Sequence, residues 1–161
     1  MRLASLLLFA LGCGGSPPVA ATPPSPPSVA AAKVLVAVDE DGVGLGGNDP
    51  VAYHLDGEVA PGAPELTSAF GGATYRFTTT EHKAAFDADM AKHVPQYGGY
   101  CAFAASQNRL QVADPTVFQI IDGQLFVFTD ASFKTGFNQD VPGNKAKADQ
   151  YWPGLVAKFG K

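Results

Sequence analysis

Outside its N-terminal segment, the residues of this 161-residue chain best suited to metal binding or nucleophilic chemistry are His54, His82, His93 and Cys101. Imidazole nitrogens and thiolate sulfur are both good ligands for copper or zinc. The sequence contains no Cys-x-x-Cys or His-x-x-x-His pair, which would place two ligands close together by local spacing alone. A solitary histidine is more often a surface or hydrogen-bonded residue than a ligand, so both interpretations stay open for each histidine.

Cys101 lies in a glycine-rich stretch, residues 94–104, with the sequence VPQYGGYCAFA. Paired glycines allow positive φ and a close approach of neighbouring chain, and the flanking tyrosines offer large apolar faces. The stretch therefore predicts a tight turn packed in the interior. A free cysteine in such surroundings commonly behaves as a small buried apolar residue, which is the alternative to a ligand role for Cys101.

The sequence offers little support for catalysis. A redox reaction at Cys101 would need a second thiol, and Cys13 is the only other cysteine. A hydrolase that uses Cys101 with His82 or His93 as the base would be expected to show a nucleophile elbow or an oxyanion motif, and neither is present. We therefore predict that the chain is not an enzyme.

The composition is that of one globular domain. Hydrophobic residues make up 46% of the chain and charged residues 16%, which is enough apolar material for a core. The formal net charge is −4, whereas binding to nucleic acid requires a clustered basic surface. A nucleic-acid partner is therefore not expected.

The N-terminus has the order of a secretory signal peptide: Arg2, an apolar run over 3–11, then small residues before Cys13. The run is too short to span a bilayer as a helix. Because Ala10-Leu11-Gly12 before the cysteine resembles a bacterial lipoprotein processing box, we predict a signal peptide at 1–12 and a lipid-modified Cys13. The alternative is an ordinary signal peptide that is cleaved further along the chain.

The segment that follows predicts a tether and not a core. Residues 13–33 are rich in serine, alanine and valine, with prolines at 17, 18, 23, 24, 26 and 27. Such a composition favours extended, polyproline-like conformations. We therefore expect a folded domain at 34–161, exported to the cell envelope and held at a membrane by the lipid on Cys13, facing the periplasm or the exterior.

The beginning of the folded domain contains a β-branched run and a glycine-rich loop. Val34–Val38 predicts a strand. Glycines at 42, 44 and 47 have the spacing of a dinucleotide-binding loop, but no amphipathic helix pattern follows them. Because Asp49–Pro50 should break a helix at the point where it would have to continue, we interpret the glycines as an ordinary loop.

Two hairpins are predicted from their turns. Gly71-Gly72 joins 65–70 to 73–77, with Phe70 opposite Ala73. Asp122-Gly123 joins two β-rich runs within 117–128 and favours a type I′ turn. One face of the second hairpin is wholly apolar and must pack against helices; it consists of Phe118, Ile120, Leu125 and Val127.

The predicted helices are short. A capping box at 78–81 starts one, and Pro95 ends any continuation through Met90 and Val94. A C-terminal helix at 144–151 should stop before Trp152-Pro153. The fold class expected from these elements is α+β, with small antiparallel hairpins packed against short helices.

Several short motifs, in order, resemble those of secreted YHS-domain proteins. The resemblance covers nearly all of the chain after Val38, and its motifs are Asp49-Pro50-Val51-Ala52-Tyr53, residues 72–77 (GATYRF), residues 96–102 (QYGGYCA), Ile121-Asp122-Gly123, and residues 142–144 (PGN) with Ala148-Asp149 and Trp152-Pro153.

The resemblance implies a YHS/TRASH-like, treble-clef-like core of a kind often attached to metal-handling proteins. Many related modules hold a metal with cysteines that this chain lacks. His54 stands in the position of a methionine of those modules and His82 in that of a cysteine, whereas His93 stands where the family usually has a tyrosine. The resemblance therefore implies His54 and His82 as copper or zinc ligands, with Cys101 as an additional soft ligand.

Two functions follow from this comparison. One is a metal-binding accessory domain displayed outside the cytoplasm, which the two histidine substitutions favour. The other is a non-catalytic structural or interaction domain that has lost an ancestral metal site, which the missing cysteines favour.

The lipid anchor is testable on its own. Cys13→Ser should release the protein from the membrane or leave it unprocessed, because the acylated thiol is removed. Metabolic labelling with radioactive fatty acid measures the modification directly. If the wild-type protein carries no label, the prediction of a lipid anchor is wrong, and the protein is better interpreted as a soluble exported one.

Overall fold

The computed structural model describes residues 33–161, so the predicted signal peptide, Cys13 and almost all of the predicted tether lie outside the described residues. The described part contains four strands, β1 (Ala63–Phe70), β2 (Ala73–Phe77), β3 (Asp114–Ile121) and β4 (Gln124–Phe128). It also contains six α-helices, α1 (Pro50–Leu55), α2 (Thr80–Ala88), α3 (Met90–His93), α4 (Ala102–Ser106), α5 (Ala131–Asn138) and α6 (Val141–Phe159). The predicted α+β class is confirmed.

Both predicted hairpins are present as separate antiparallel pairs, β1 with β2 and β3 with β4. Phe70 lies opposite Ala73, as predicted. Asp122 and Gly123 have φ of 52° and 73°, the two positive values that a type I′ turn requires.

The two hairpins are copies of one backbone pattern. The first occupies 63–70 and 73–77, and the second occupies 114–121 and 124–128, so that each strand begins and ends 51 positions after its equivalent. In both, the register shifts at the same place in the first strand. A shared irregularity of this kind indicates the same unit used twice.

A glycine turn precedes each hairpin and is also repeated. Its three residues have φ of 53°, 59° and 82° in Leu45–Gly47 and of 51°, 57° and 80° in Tyr97–Gly99. Positive φ is uncommon for residues such as leucine and tyrosine. Its recurrence 52 positions later therefore identifies the same turn in both halves.

Each half continues in the same order after its turn, with a short helix, the hairpin and two further helices. An aspartate caps the start of the last of these helices in both halves: Asp89 has φ, ψ of −152°, 77° and Asp140 has −153°, 75°. We therefore divide the domain into repeat 1, residues 43–93, and repeat 2, residues 95–144, beyond which α6 continues.

The core consists of two clusters that meet at β4. Because successive side chains of a strand point to opposite faces, Leu125 and Val127 pack in the first cluster with Phe86 of α2. Phe126 and Phe128 pack in the second, with α5 and α6. The predicted apolar face of the second hairpin is therefore buried in the first cluster, and the opposite face of β4 lies in the second cluster with residues of α5 and α6.

The predicted strand at Val34–Val38 is wrong. Val34 exchanges two backbone hydrogen bonds with Lys161, and the amide of Ala37 donates to the carbonyl of Gly98. These partners lie on different segments, so no continuous ladder forms in spite of the β-branched sequence.

Two predicted helix boundaries are also wrong. Asp49–Pro50 starts α1 instead of breaking a helix, because Asp49 caps the helix and proline is well suited to the first helical position. The C-terminal helix does not stop before Trp152-Pro153 but continues to Phe159. The burial of Ala148 and Leu155, on either side of the proline, favours its continuation.

The glycine turn of repeat 2 has a steric requirement that can be measured. A Cβ on Gly98 would lie 2.1 Å from the carbonyl oxygen of Leu35, and Gly98 itself has φ of +57°. We expect Gly98→Ala to lower the free energy of unfolding by about 3 kcal/mol or more, because the clash adds to the strain of positive φ. Urea titration measures the change.

Gly123→Ala is the matched control for this prediction, because Gly123 has φ of +73° and a Cβ added to it would meet no atom within 4 Å beyond its chain neighbours. Backbone strain alone should cost it about 1–2 kcal/mol. Equal destabilisation by the two substitutions would show that the close approach to Leu35 is unimportant.

Candidate functional site

All three histidines of the chain lie in repeat 1, one on each of its helices. His54 is on α1, His82 on α2 and His93 on α3. We call these three side chains and the ends of the helices that present them the histidine corner.

A buried carboxylate organises this corner. Asp49 is fully buried and caps α1 by accepting from the amides of Val51 at 2.8 Å and Ala52 at 3.4 Å. Its second oxygen accepts from the amide of Thr78 at 2.8 Å and the hydroxyl of Thr78 at 2.7 Å, and lies 2.7 Å from Nδ1 of His82. One side chain thus joins the start of α1, the end of β2 and the first turn of α2.

These bonds determine the ionisation of Asp49. Burial alone would raise the pKa of Asp49, but the hydrogen bonds from Thr78, His82 and Val51 outweigh it and hold the pKa below its usual value. An ionised carboxylate can only accept hydrogen bonds, so Nδ1 of His82 bears the proton in this pair.

The outer nitrogen of His82 is therefore the one available for binding. Nε2 lies 3.8 Å from Oδ2 of Asp56, and the side chain of His82 is 16% exposed. Metal-binding histidines usually donate a hydrogen bond from one ring nitrogen to a carboxylate, which leaves the lone pair of the other nitrogen free for the metal.

His54 and His93 form a second pair within the corner. Their rings lie edge to face, with centroids 5.1 Å apart and an interplanar angle of 87°. Nε2 of His54 and Nδ1 of His93 are buried and have no hydrogen-bond partner within the described part of the chain. Since an unpaired buried polar atom costs about 1–3 kcal/mol, this pair is unfavourable unless another group satisfies it.

The surroundings of this pair favour neutral rings. Burial and then the neighbouring His93 lower the pKa of His54, although the nearby backbone of His93 opposes them. Burial and then Lys92 lower the pKa of His93, against the attraction of Asp89 and Asp49. Both rings therefore lose their protons more readily than an exposed histidine does.

Repeat 2 shows what the same helix positions contain when no histidine is present. Ser106 is the fifth residue of α4, as His54 is of α1, and its hydroxyl donates to the carbonyl of Phe103 at 2.7 Å. Phe133 is the third residue of α5, as His82 is of α2, and it packs on the second core cluster. Both equivalents are satisfied, one by a hydrogen bond and the other by packing.

The equivalent of His93 is satisfied as well. Asn144 is the fourth residue of α6, as His93 is of α3, and its amide donates to the carbonyls of Gly136 and Phe137 at 3.3 and 3.0 Å. The backbone pattern can therefore be built without histidine at any of the three positions. The histidine corner is a property of repeat 1 and not a requirement of the fold.

Cys101 lies elsewhere. It directly precedes α4, as Asp49 directly precedes α1, and it is fully buried and packs in the second core cluster. It is a free thiol among the described residues. These surroundings match the apolar interpretation of Cys101.

Within residues 33–161, no three side chains of histidine, cysteine, aspartate or glutamate are grouped so that they could hold one metal ion. The sequence resemblance singled out His54 and His82 over His93, whereas the structure pairs the ring of His54 with that of His93. The sequence has no spacing that indicates this pair. The capping role of Asp49, by contrast, could have been predicted from an aspartate directly before a proline.

No protein-family model, curated protein or solved structure matches this chain. The resemblance to YHS proteins therefore depends on the motifs quoted above, and the interpretation of the site depends on its geometry.

No helix in the described part of the chain is both long and apolar enough to cross a membrane.

The burial of His54 and His93 predicts a pH-dependent stability. Their folded-state pKa values lie below the unfolded value of about 6.5, so the unfolded chain binds more protons as the pH falls. Stability should therefore be complete above about pH 6.5 and decline towards pH 5. Urea unfolding at pH 7.5 and 5.5 measures the decline.

The double variant His54→Ser/His93→Asn has the residues of repeat 2 and is the control for this prediction. Its stability should change less between the two pH values, because the two buried imidazoles are removed. The same decline in the variant and in the wild type would assign the pH dependence to other groups.

Proposed function

We propose that this chain is a non-catalytic, YHS-type domain of the cell envelope that binds copper or zinc through its histidine corner. The observation that supports this most strongly is the difference between the repeats. Repeat 1 contains buried imidazole nitrogens without partners, where repeat 2 has side chains that are satisfied. Repeat 2 shows that the fold can avoid the free-energy cost of unpaired buried nitrogens. Their presence in repeat 1 is explained if they bind a ligand.

Copper and zinc are the metals that fit these donors. Imidazole binds both, whereas calcium and magnesium require several oxygen ligands. The bond from His82 to Asp49 adds support, because it fixes the ring and leaves Nε2 directed outwards. The proposal rests on the histidines and does not include Cys101, which packs in the second core cluster.

The finer description of the fold is part of the proposal. In each repeat a glycine turn and a short helix precede a hairpin, and a further helix follows it, which is compatible with a treble-clef-like unit. The cysteines that hold a metal in related modules are absent, so the histidines of α1 and α2 would take their place in this chain.

The proposed location follows from the N-terminal sequence. A lipid on Cys13 and the proline-rich segment behind it would hold the domain at a membrane while leaving it in contact with solutes outside the cytoplasm. Metal binding there would involve ions that enter the cell envelope.

Metal titration of the purified domain tests the function. Calorimetry with Zn²⁺, and with Cu⁺ in the absence of oxygen, should show one ion bound per chain. The variant His54→Ser/His82→Phe/His93→Asn should lose this binding, and Ser106→Ala in repeat 2 should retain it. Circular dichroism and melting curves establish that each variant is folded.

Binding should also weaken as the pH falls from about 7 to 5, because imidazole must lose its proton to coordinate a metal. A wild-type protein that binds neither ion, or a triple variant that binds as well as the wild type, would contradict the proposal. The structural or interaction domain would then be the better interpretation.

A further inference from the structure

We propose that a groove at the end of α6 docks the domain on a membrane by binding the headgroups of anionic phospholipids. The groove has a volume of about 630 Å³ and is formed by residues 108–110, in the loop after α4, and by residues 154, 155, 158 and 159 of α6. It shares no residue with the histidine corner. The inference therefore goes beyond metal binding and concerns how the domain meets the membrane.

The charge of the groove is positive and is not neutralised. Arg109 and Lys158 line it and are exposed, and none of the residues that line it is acidic. Neither cation forms an ion pair within residues 33–161, and residues 1–32 contain no aspartate or glutamate that could provide one. The guanidinium of Arg109 donates only to a neutral partner, Oε1 of Gln107, at 2.6 Å. In a chain of formal net charge −4, this local positive charge favours an anionic ligand.

The predicted tether enters the domain beside this groove. Nζ of Lys33 donates to the carbonyl of Ala157 at 3.0 Å, next to Lys158, and Val34 exchanges two backbone hydrogen bonds with Lys161. Residues 33 and 34 are therefore fixed to the end of α6, and Lys33 adds a third exposed cation there. A lipid on Cys13, which is part of the proposed function, would hold the domain to the bilayer by this end.

Exposed apolar surface lies next to these cations. Phe159 is 45% exposed, and the centroid of its ring lies 4.9 Å from Nζ of Lys158. Leu110 lines the same groove. The helix dipole explains a lysine at the end of α6 but not an exposed aromatic ring beside it. Aromatic rings next to cations are typical of surfaces that lie at a membrane interface, so the groove fits a phospholipid headgroup better than a soluble anion.

The attraction of three cations is modest. Each lysine or arginine near an anionic membrane surface raises the affinity by about 5-fold, so Lys33, Arg109 and Lys158 together supply about 100-fold. An anchored domain is already within reach of the bilayer, which makes docking an intramolecular step. The contact is therefore weak, reversible and sensitive to salt. The binding of headgroups does not itself require the anchor.

Sedimentation with lipid vesicles tests the groove. The protein is the chain from residue 13 onwards with Cys13→Ser, which carries no lipid of its own. It should bind vesicles of phosphatidylglycerol and not vesicles of phosphatidylcholine, and added salt should weaken the binding because it screens the charges.

Two groove variants separate charge from apolar contact. Lys33→Gln/Arg109→Gln/Lys158→Gln should weaken binding to phosphatidylglycerol vesicles by about 30-fold or more, because three cations are removed. Phe159→Ser should weaken it by about 3-fold or more with no change of charge. All four side chains are exposed, and circular dichroism establishes that the variants are folded.

Lys92→Gln/Lys134→Gln/Lys147→Gln is the matched control, because it changes the net charge by the same amount at positions outside the groove. Its affinity for the vesicles should stay within about 3-fold of the unsubstituted affinity. An equal loss in the control and the groove variant, or equal binding to the two kinds of vesicle, would overturn the inference. So would failure to bind phosphatidylglycerol vesicles.

Calorimetry with glycerol 1-phosphate tests the alternative occupant. Tight binding of this soluble anion, lost in the triple groove variant, would assign the groove to a soluble ligand and overturn the membrane contact. The triple groove variant should bind metal as the wild type does, because the histidine corner is unchanged. Failure of membrane docking is thus distinguishable from failure of the proposed function.

Discussion

The carboxylate of Asp49 is the interaction on which repeat 1 depends. It is buried, ionised and bonded to the start of α1, to Thr78 after β2 and to His82 on α2. Burying a charge is costly unless hydrogen bonds replace the lost water, and here each oxygen has such bonds. Because this one group joins α1 to α2, it also sets where the histidines of both helices lie.

Repeat 2 uses a different solution at the same place. Cys101 stands at the position of Asp49, with Phe133 at the position of His82, and both belong to the second core cluster. Apolar packing therefore suffices to join these elements. Repeat 1 uses polar side chains here, and two of its buried imidazole nitrogens have no hydrogen-bond partner among the described residues. Apolar side chains would not create such unpaired atoms. This contrast is the physical reason for regarding the corner as a site.

The sequence predicted the features that depend on local chemistry, such as the turn at Asp122-Gly123, whose positive φ values only a few residues accept. The sequence-based prediction failed where contacts between distant parts of the chain determine the local structure. The extended segment 34–38 forms hydrogen bonds with parts of the chain that no local pattern identifies. Helix α6 continues past Pro153 because residues before and after the proline are buried. The repeat was not apparent, since it is a repeat of backbone angles more than of side chains. The pairing of His54 with His93 depends on that backbone and was missed for the same reason.

The central claim is that the imidazoles of the histidine corner bind copper or zinc, and ¹⁵N NMR of the histidine side chains tests it most directly. At pH 7 the metal-free protein should show neutral rings for His54 and His93. A diamagnetic ion, Zn²⁺ or copper(I), should then shift the nitrogens of the rings that bind it, while Nδ1 of His82 keeps its bond to Asp49. Unchanged resonances of His54, His82 and His93 in a sample saturated with either ion would contradict the account.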